Sequence, residues 1–419
     1  MGFVEPLVAF VVSFLFLGIM VYKRVGLGIT LTFTAIVLSL LSLEPSSIAN
    51  VFWKTSTDYV TISLVLATFG IMLLSQLYKE TELIMILSQS LSEIVRNSKF
   101  VVSVLPAVVG LLPVPGGALM SAPMVEAEAN KLELEKTRQS YVNIWFRHTI
   151  FPVYPMSQVL ILTGALTGLS VISLIMRQVP VVIAMIAIGY IIGFWKISEA
   201  KHEATKNSLT TNLTSLLKAF APILAMIFAI VVFNIARARR AFNMFSIPVI
   251  STFDVSVAAF LGVIVLLLIS KPSLNVFSRP FRSRSIYEVT LAAFGAMLLR
   301  NVTMASGISE TIGMLITGRN INDVVLLSTL PAALGFLLGS PLGGVALSVS
   351  MLTGTLSFAP KTAGLLYMTT YLGYLGAPTH LCLVLTADYF KCPLGRVYRY
   401  LIPSLAMSFL TAILVYFLL

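Results

Sequence analysis

The sequence predicts an all-helical polytopic membrane protein. It is built from two inverted repeats, each with three spans, a re-entrant hairpin, a broken span and a final span. Three observations predict this. The first is composition: of 419 residues, 58% are hydrophobic and 11% are charged, with a mean hydropathy of +0.95. Soluble domains carry about 25% charge, so a water-soluble core is excluded. The second is a pair of apolar stretches interrupted by Pro and Gly. The third is a long-range internal repeat.

Apolar runs long enough to cross about 30 Å of hydrocarbon fall at roughly 3–22, 25–43, 58–78, 178–195, 216–236, 250–270, 284–300 and 398–419. The run at 3–21 has no basic segment before it and no small-residue cleavage site after it, so it reads as a retained span. Two longer apolar regions, 100–176 and 322–392, do not divide into clean spans. A polar, charged stretch at 196–215 divides the chain near its middle as a cytoplasmic linker, giving repeats over 1–195 and 216–419.

Within 100–176, the stretch Leu111–Ser121 carries Pro113, Pro115, Gly116 and Gly117. Pro removes a helix hydrogen bond, and paired Gly lets the chain reverse. Irregular backbone at membrane depth survives only inside protein or beside a water-filled cavity. The stretch therefore predicts a hairpin over about 100–128 with its tip at a polar site. The same device recurs at Leu338–Ser348, with Pro341, Gly343 and Gly344, predicting a second hairpin over about 322–352.

The halves align. Residues 66–74 match residues 291–299 at seven of nine positions, an offset of 225 from Phe69 to Phe294. Leu105-Pro106-Ala107 repeats at Leu330-Pro331-Ala332 with the same offset. Gly116-Gly117 repeats at Gly343-Gly344 with an offset of 227, and Pro155 and Thr163 repeat at Pro378 and Thr386 with an offset of 223. Lys and Arg concentrate in cytoplasmic loops. Placing Lys23, Arg24, Lys79, Arg96, Lys99, the linker lysines and the Lys271–Arg284 loop inside runs the 58–78 span outside-in and its partner inside-out. The repeats are thus inverted, with both termini extracytoplasmic; Arg237, Arg239 and Arg240 are the exception to the charge rule. The net charge of +11 belongs to those loops, and nucleic acid is not an expected partner. Segments 80–96 and 301–318 read either as surface arms or as ordinary loop helices.

Each half also contains a broken span. Phe151–Gln158 interrupts one over about 141–175, and Gly373–His380 interrupts one over about 362–390. A helix unwound in mid-membrane presents free N–H groups on one side and free carbonyls on the other. Interrupted segments at matching places in inverted halves point to a transporter's substrate site. The expected substrate-binding residues are Pro115, Gly116, Gly117, Ser121, Pro155, Ser157, Gly343, Gly344, Ser348, Pro378, Thr379 and His380. Arg147 and His148 precede the first break. Arg147 either neutralises an anionic solute or anchors at the interface, since Tyr141 and Trp145 nearby could form an aromatic belt. Asp388, eight residues after His380, either joins it in proton coupling or ends its helix at the cytoplasmic surface beside Lys391. Glu126, Glu128, Glu133 and Glu135, interleaved with Lys131, Lys136 and Arg138, read as a solvated segment after the first hairpin.

No catalytic triad, zinc-protease or phosphate-loop motif is present, so no enzyme activity is expected. Cys382 and Cys392 form no disulfide framework or metal motif. No cofactor or metal is expected beyond Na⁺ or H⁺ as a coupling ion. A surface arm, a Pro/Gly hairpin and a span broken at a Pro/Ser/Thr motif, present twice in inverted halves, resemble the ion-transporter superfamily. That group includes divalent-anion/sodium symporters, gluconate-type permeases and arsenite-antiporter-like carriers. The chain is most similar to one of its uncharacterised prokaryotic families of about ten spans. The layout matches over nearly the whole chain, and the motifs match at Pro113–Ser121, Pro152–Ser157, Ser340–Ser348 and Gly376–His380. The resemblance implies that hairpin tips and broken-span loops meet at solute and coupling ions, that a transport domain moves as an elevator, and that the protein is a homodimer in the cell membrane. The sodium symporters carry Ser-Asn-Thr at tip and break. Here Pro-Gly-Gly with Ser121, Tyr154-Pro155-Met156-Ser157 and Pro378-Thr379-His380 stand instead. The expected function is secondary transport of a small, organic or inorganic anion coupled to Na⁺ or H⁺. The alternatives are a cation/proton antiporter, or a membrane-embedded enzyme or lipid translocase.

Overall fold

The computed structural model describes residues 5–94, 97–112, 117–198, 209–238, 251–317 and 321–419. These residues form helices joined by short turns, with no strand among them. The first half runs α1 (Pro6–Tyr22), α2 (Leu27–Ser42), α3 (Pro45–Thr57), α4 (Tyr59–Glu80), α5 (Leu83–Ile94), α6 (Ser98–Gly110), α7 (Ala118–Lys131), α8 (Lys136–Thr149), α9 (Gln158–Thr167) and α10 (Val171–Phe194). The second runs α11 (Leu209–Ala238), α12 (Ser251–Ser270), α13 (Leu274–Ser278), α14 (Arg284–Ala305), α15 (Ile308–Thr317), α16 (Asp323–Leu338), α17 (Pro341–Leu352), α18 (Pro360–Gly376), α19 (Leu381–Tyr389) and α20 (Leu394–Leu418).

Among the described residues, six helical segments are long and apolar enough to cross a membrane, or seven if the bent pair α14–α15 counts as one. Lys136–Thr167 qualifies as a single span through its break. The length of α4 follows from its sequence. Asp58 caps its start by accepting from Thr61 N at 2.8 Å, and 22 residues follow without Gly-Gly or Pro, a run of about 33 Å. The chain is therefore a helical membrane protein. The wide lipid-facing surfaces of α10, α11 and α20, less than half buried, fit that environment.

Several boundaries differ from the sequence reading. α3 is absent from it, because its apolar residues are too few for a span. Pro45 starts this helix, and Thr55, its one buried residue, accepts from Asn301 Nδ2 at 2.9 Å. α14 runs past residue 300 and then bends by 67° into α15, so the second short arm begins at Ile308. Gly307, with φ at +72°, makes that bend. The polar linker is shorter than 196–215: residues from Leu209 are already helical, and 199–208 lie outside the described residues. Arg96, Arg239 and Arg240 also fall outside them, and so do Pro113, Val114, Pro115 and Gly116.

Packing joins helices far apart in the chain. α2 packs on α14 and α12 on α4; α17 packs on α9 and α7 on α19; α10 packs on α18 and α20 on α8. Each helical hairpin, α6–α7 and α16–α17, lies against the first part of a broken span, α8 and α18 respectively. Glycine permits the closest crossings. A Cβ at Gly110 would clash with the carbonyl oxygen of Arg147, and one at Gly335 with that of Thr370. Small residues at crossings are how membrane helices approach closely without a hydrophobic driving force.

Candidate functional site

The second hairpin turns where its sequence requires. Gly339, with φ at +55°, ends α16 in the left-handed region, Ser340 caps α17 by accepting from Gly343 N, and Pro341 takes the first helical position. A side chain at Gly339 would also collide with Thr379 Oγ1. The tip thus rests directly on the second break, residues 377–380 between α18 and α19. The first break is a single 3₁₀ turn, Phe151–Val153, followed by a tight turn in which Ser157 N donates to Tyr154 O at 2.9 Å. Pro152 and Pro155 keep it from closing into helix.

These pieces line a partly open cavity of about 300 Å³. Arg147, His148 and Phe151 line it from the first break, Ser157 and Gln158 from the head of α9, and Gly339 to Leu342 from the second hairpin. Tyr371, Tyr374, Thr379 and Cys382 line it from the second broken span, and Glu288 from α14. Arg147 is 2% exposed. Its Nη2 reaches only Leu112 O, at 3.5 Å, while Nε and Nη1 have no partner and the residue makes no ion pair among the described residues. A buried cation without a counterion costs several kcal/mol. Its place in the last turn of α8 offsets part of that, since the carbonyl end of a helix favours positive charge, but cannot neutralise it.

Around Arg147 the polar groups interlock. Tyr371 Oη donates to His148 O at 2.8 Å, and Tyr374 Oη lies 2.7 Å from His380 Nε2. The rings of His148 and His380 meet edge-on, 4.8 Å between centroids. Tyr141 and Trp145 are fully buried; Tyr141 Oη bonds Ser404 Oγ at 2.6 Å and Trp145 Nε1 donates to Met185 O at 2.9 Å. An aromatic belt at the lipid interface is therefore not their role, and the interface-anchor alternative for Arg147 goes with it.

The structure brings together Arg147, His148, Ser157, Thr379 and His380, all expected from the sequence; His380 is fully buried behind Tyr374. The other expected residues fall elsewhere. Gly343 and Gly344 do not line the cavity: they form the first turn of α17, where Gly344 passes against Gly335 and Thr370. The turn itself is made at Gly339-Ser340, which is why the glycine pair serves packing. Ser348 turns back on Gly344 O within its own helix. Ser121 donates to Asn143 Oδ1 at 2.6 Å, and Asn143 Nδ2 contacts Ala118 O and Thr386 Oγ1, joining the first hairpin to α19 behind the cavity. Gly117 is buried at the head of α7, and Pro115 and Gly116 lie outside the described residues. Pro155 is half-buried away from the cavity, and Pro378 faces an apolar groove on the far side of α18. Asp388 is exposed near the end of α19, because a helix of nine residues starting beyond His380 carries it out of the core. It does not pair with His380. In the charged segment, Glu126 pairs with Lys136 and Tyr389, and Glu128 with Lys131 and Ser98, so it is tied down rather than merely solvated.

Sequence reasoning missed Glu288. An acid inside an apolar run is itself a signal, and this one lies at the start of the 284–300 run. Its Oε1 accepts from Gly28 N at 3.0 Å, capping α2 from another helix. Tyr371 and Tyr374 are not among the expected site residues either, although Tyr374 lies within the Gly373–His380 interruption.

Fold and site together define a polytopic helical membrane protein with a partly open cavity among interrupted helices, its largely apolar wall set with a few polar groups. The chain belongs to the family described as Protein of unknown function (DUF401), which it matches over residues 7–419. No curated protein matches it.

Proposed function

We propose that this protein is a secondary active transporter of a small anionic solute, driven by a Na⁺ or H⁺ gradient, within the ion-transporter superfamily. One observation carries the reading: Arg147 is buried, has no counterion among the described residues and lines a cavity walled by both broken spans and a hairpin tip. A cation held so is a site waiting for a negative group. Ser157, Gln158 and Thr379 offer neutral hydrogen-bonding groups around it. The head of α9 adds backbone N–H groups facing the same space.

The inverted-repeat architecture is supported by the matched packing. Exchanging halves turns the α2–α14 contact into α12–α4, and α17–α9 into α7–α19. The glycine crossings obey the offsets of the sequence repeat: Gly110 to Gly335 is 225, and Arg147 to Thr370 is 223. Inverted halves that share one cavity can exchange conformations, which is the physical basis of alternating access. On this reading α6–α9 and α16–α19 move together as the carrier, the remaining spans form the scaffold, and both termini face outward. The exchange of a cation for a proton by an Asp388–His380 pair lacks the juxtaposition it needs. Paired-acid enzyme chemistry lacks a second acid beside Glu288 among the described lining residues.

The test is flux. Protein reconstituted in proteoliposomes should accumulate at least one radiolabelled carboxylate or oxyanion when a Na⁺ or inward H⁺ gradient is imposed, and should lose that accumulation when the gradient is collapsed. Absence of gradient-driven flux across a broad panel of anions would overturn the reading.

A further inference from the structure

His148, at the end of α8, and His380 and Cys382, at the head of α19, are buried in one cluster, and a ligand atom from each lies within 4.8 Å of the others. The chain brings them together only through the fold, so no sequence motif announces them. The hydrogen bonds are compatible with one free lone pair on each ring. His148 Nδ1 is 2.7 Å from Ile144 O, and a carbonyl can only accept, so Nδ1 carries the proton and Nε2 keeps its lone pair. Tyr374 Oη is bonded to His380 Nε2, while His380 Nδ1 is buried with no partner. The contact admits the tautomer in which Nε2 donates to Tyr374 Oη and the unpartnered Nδ1 keeps its lone pair. Cys382 is a free, buried thiol. Imidazoles oriented by a carbonyl and a phenol through their second nitrogen are the usual arrangement of metal-ligating histidines.

We propose that His148, His380 and Cys382 form a site for a borderline-soft transition-metal ion of the Zn²⁺ type. Two imidazoles and a thiolate suit such an ion and not Na⁺, Mg²⁺ or Ca²⁺, which take oxygen. Binding forms two metal–nitrogen bonds and one metal–sulfur bond and releases the thiol proton to solvent, with no change of oxidation state. Three protein ligands leave a fourth position. His148 and Cys382 line the cavity, so that position opens toward Arg147. The charged groups lining the cavity are Arg147 and Glu288. Arg147 opposes a cation; the thiolate and an anion in the fourth position offset it. The proposal rests on the ligand geometry and does not require transport.

Co²⁺ is the probe. Added to metal-stripped protein in detergent without any solute, it should give a thiolate-to-cobalt charge-transfer band in the near ultraviolet and the intense visible bands of a four-coordinate site. Both should saturate at one ion per chain and be displaced by Zn²⁺. C382S should lose the charge-transfer band, and H148Q and H380Q should weaken binding by about tenfold or more, while C392S keeps the spectrum. As a check that needs no change to the cluster, Zn²⁺ should protect Cys382 from alkylation in the C392S protein. A wild-type titration with no charge-transfer band, a band that survives C382S, or alkylation indifferent to Zn²⁺ would each overturn the proposal.

Discussion

The two breaks each interrupt a buried helix beside the same cavity, but they differ in electrical character. In the first, α8 ends in Arg147 and His148, and a bare guanidinium faces the cavity. In the second, α18 ends in Tyr374 and Gly376 with no charged residue, and the groups offered are the Thr379 hydroxyl and the His380 ring. Thr370, 223 residues on from Arg147, turns its hydroxyl back on Leu366 O. One interrupted helix thus brings a cation to the cavity and the other brings neutral groups. A cavity between two cationic breaks would repel itself, and one between two neutral breaks would have no pull on an anion.

The comparison can be broken most strongly at Arg147. R147Q makes both breaks neutral and should weaken anion binding by roughly ten- to a hundredfold, from the loss of about 1.5–3 kcal/mol of charge-assisted hydrogen bonding. The unliganded variant should melt no lower than the wild type, because it removes an uncompensated buried charge; calorimetry or a dye-based melt checks this. The second break is best probed through the hairpin resting on it. G339A forces a side chain into the left-handed region and onto Thr379, and should cost about 1–3 kcal/mol of stability. T379A in the same chain should restore the steric part and leave the backbone part, which a comparison of melting temperatures separates. A smaller effect, about 1 kcal/mol or less, is expected for E288Q, which keeps the acceptor for Gly28 N but loses the negative charge at the head of α2. The smallest is D388N: an exposed carboxylate outside the cavity should leave the rate and pH profile of solute flux unchanged.

The breaks themselves were readable in the sequence because their cause is local. Pro152, Pro155 and Pro378 cannot donate a backbone hydrogen bond wherever they are placed, so the interruptions followed from the residues alone. The helical class and the apolar runs followed from composition in the same way. What could not be read depended on contacts between segments far apart in the chain. Gly343-Gly344 looked like a turn, and only the crossing with Gly335 and Thr370 shows that the pair is there to let helices touch. Tyr141 and Trp145 looked like an interface belt until Ser404 and Met185 were seen to satisfy them inside the protein. The meeting of His148 with His380 and Cys382 is of the same kind, since it joins the end of one broken span to the restart of the other.

The charge asymmetry of the breaks is tested most directly by ligand-dependent melting of the purified wild type and R147Q against a panel of small carboxylates and oxyanions. A ligand that binds the native state raises the melting temperature by mass action. The account predicts that at least one anion stabilises the wild type and that the same anion, at the same concentration, leaves R147Q unshifted. Equal stabilisation of both proteins by every effective anion would contradict it.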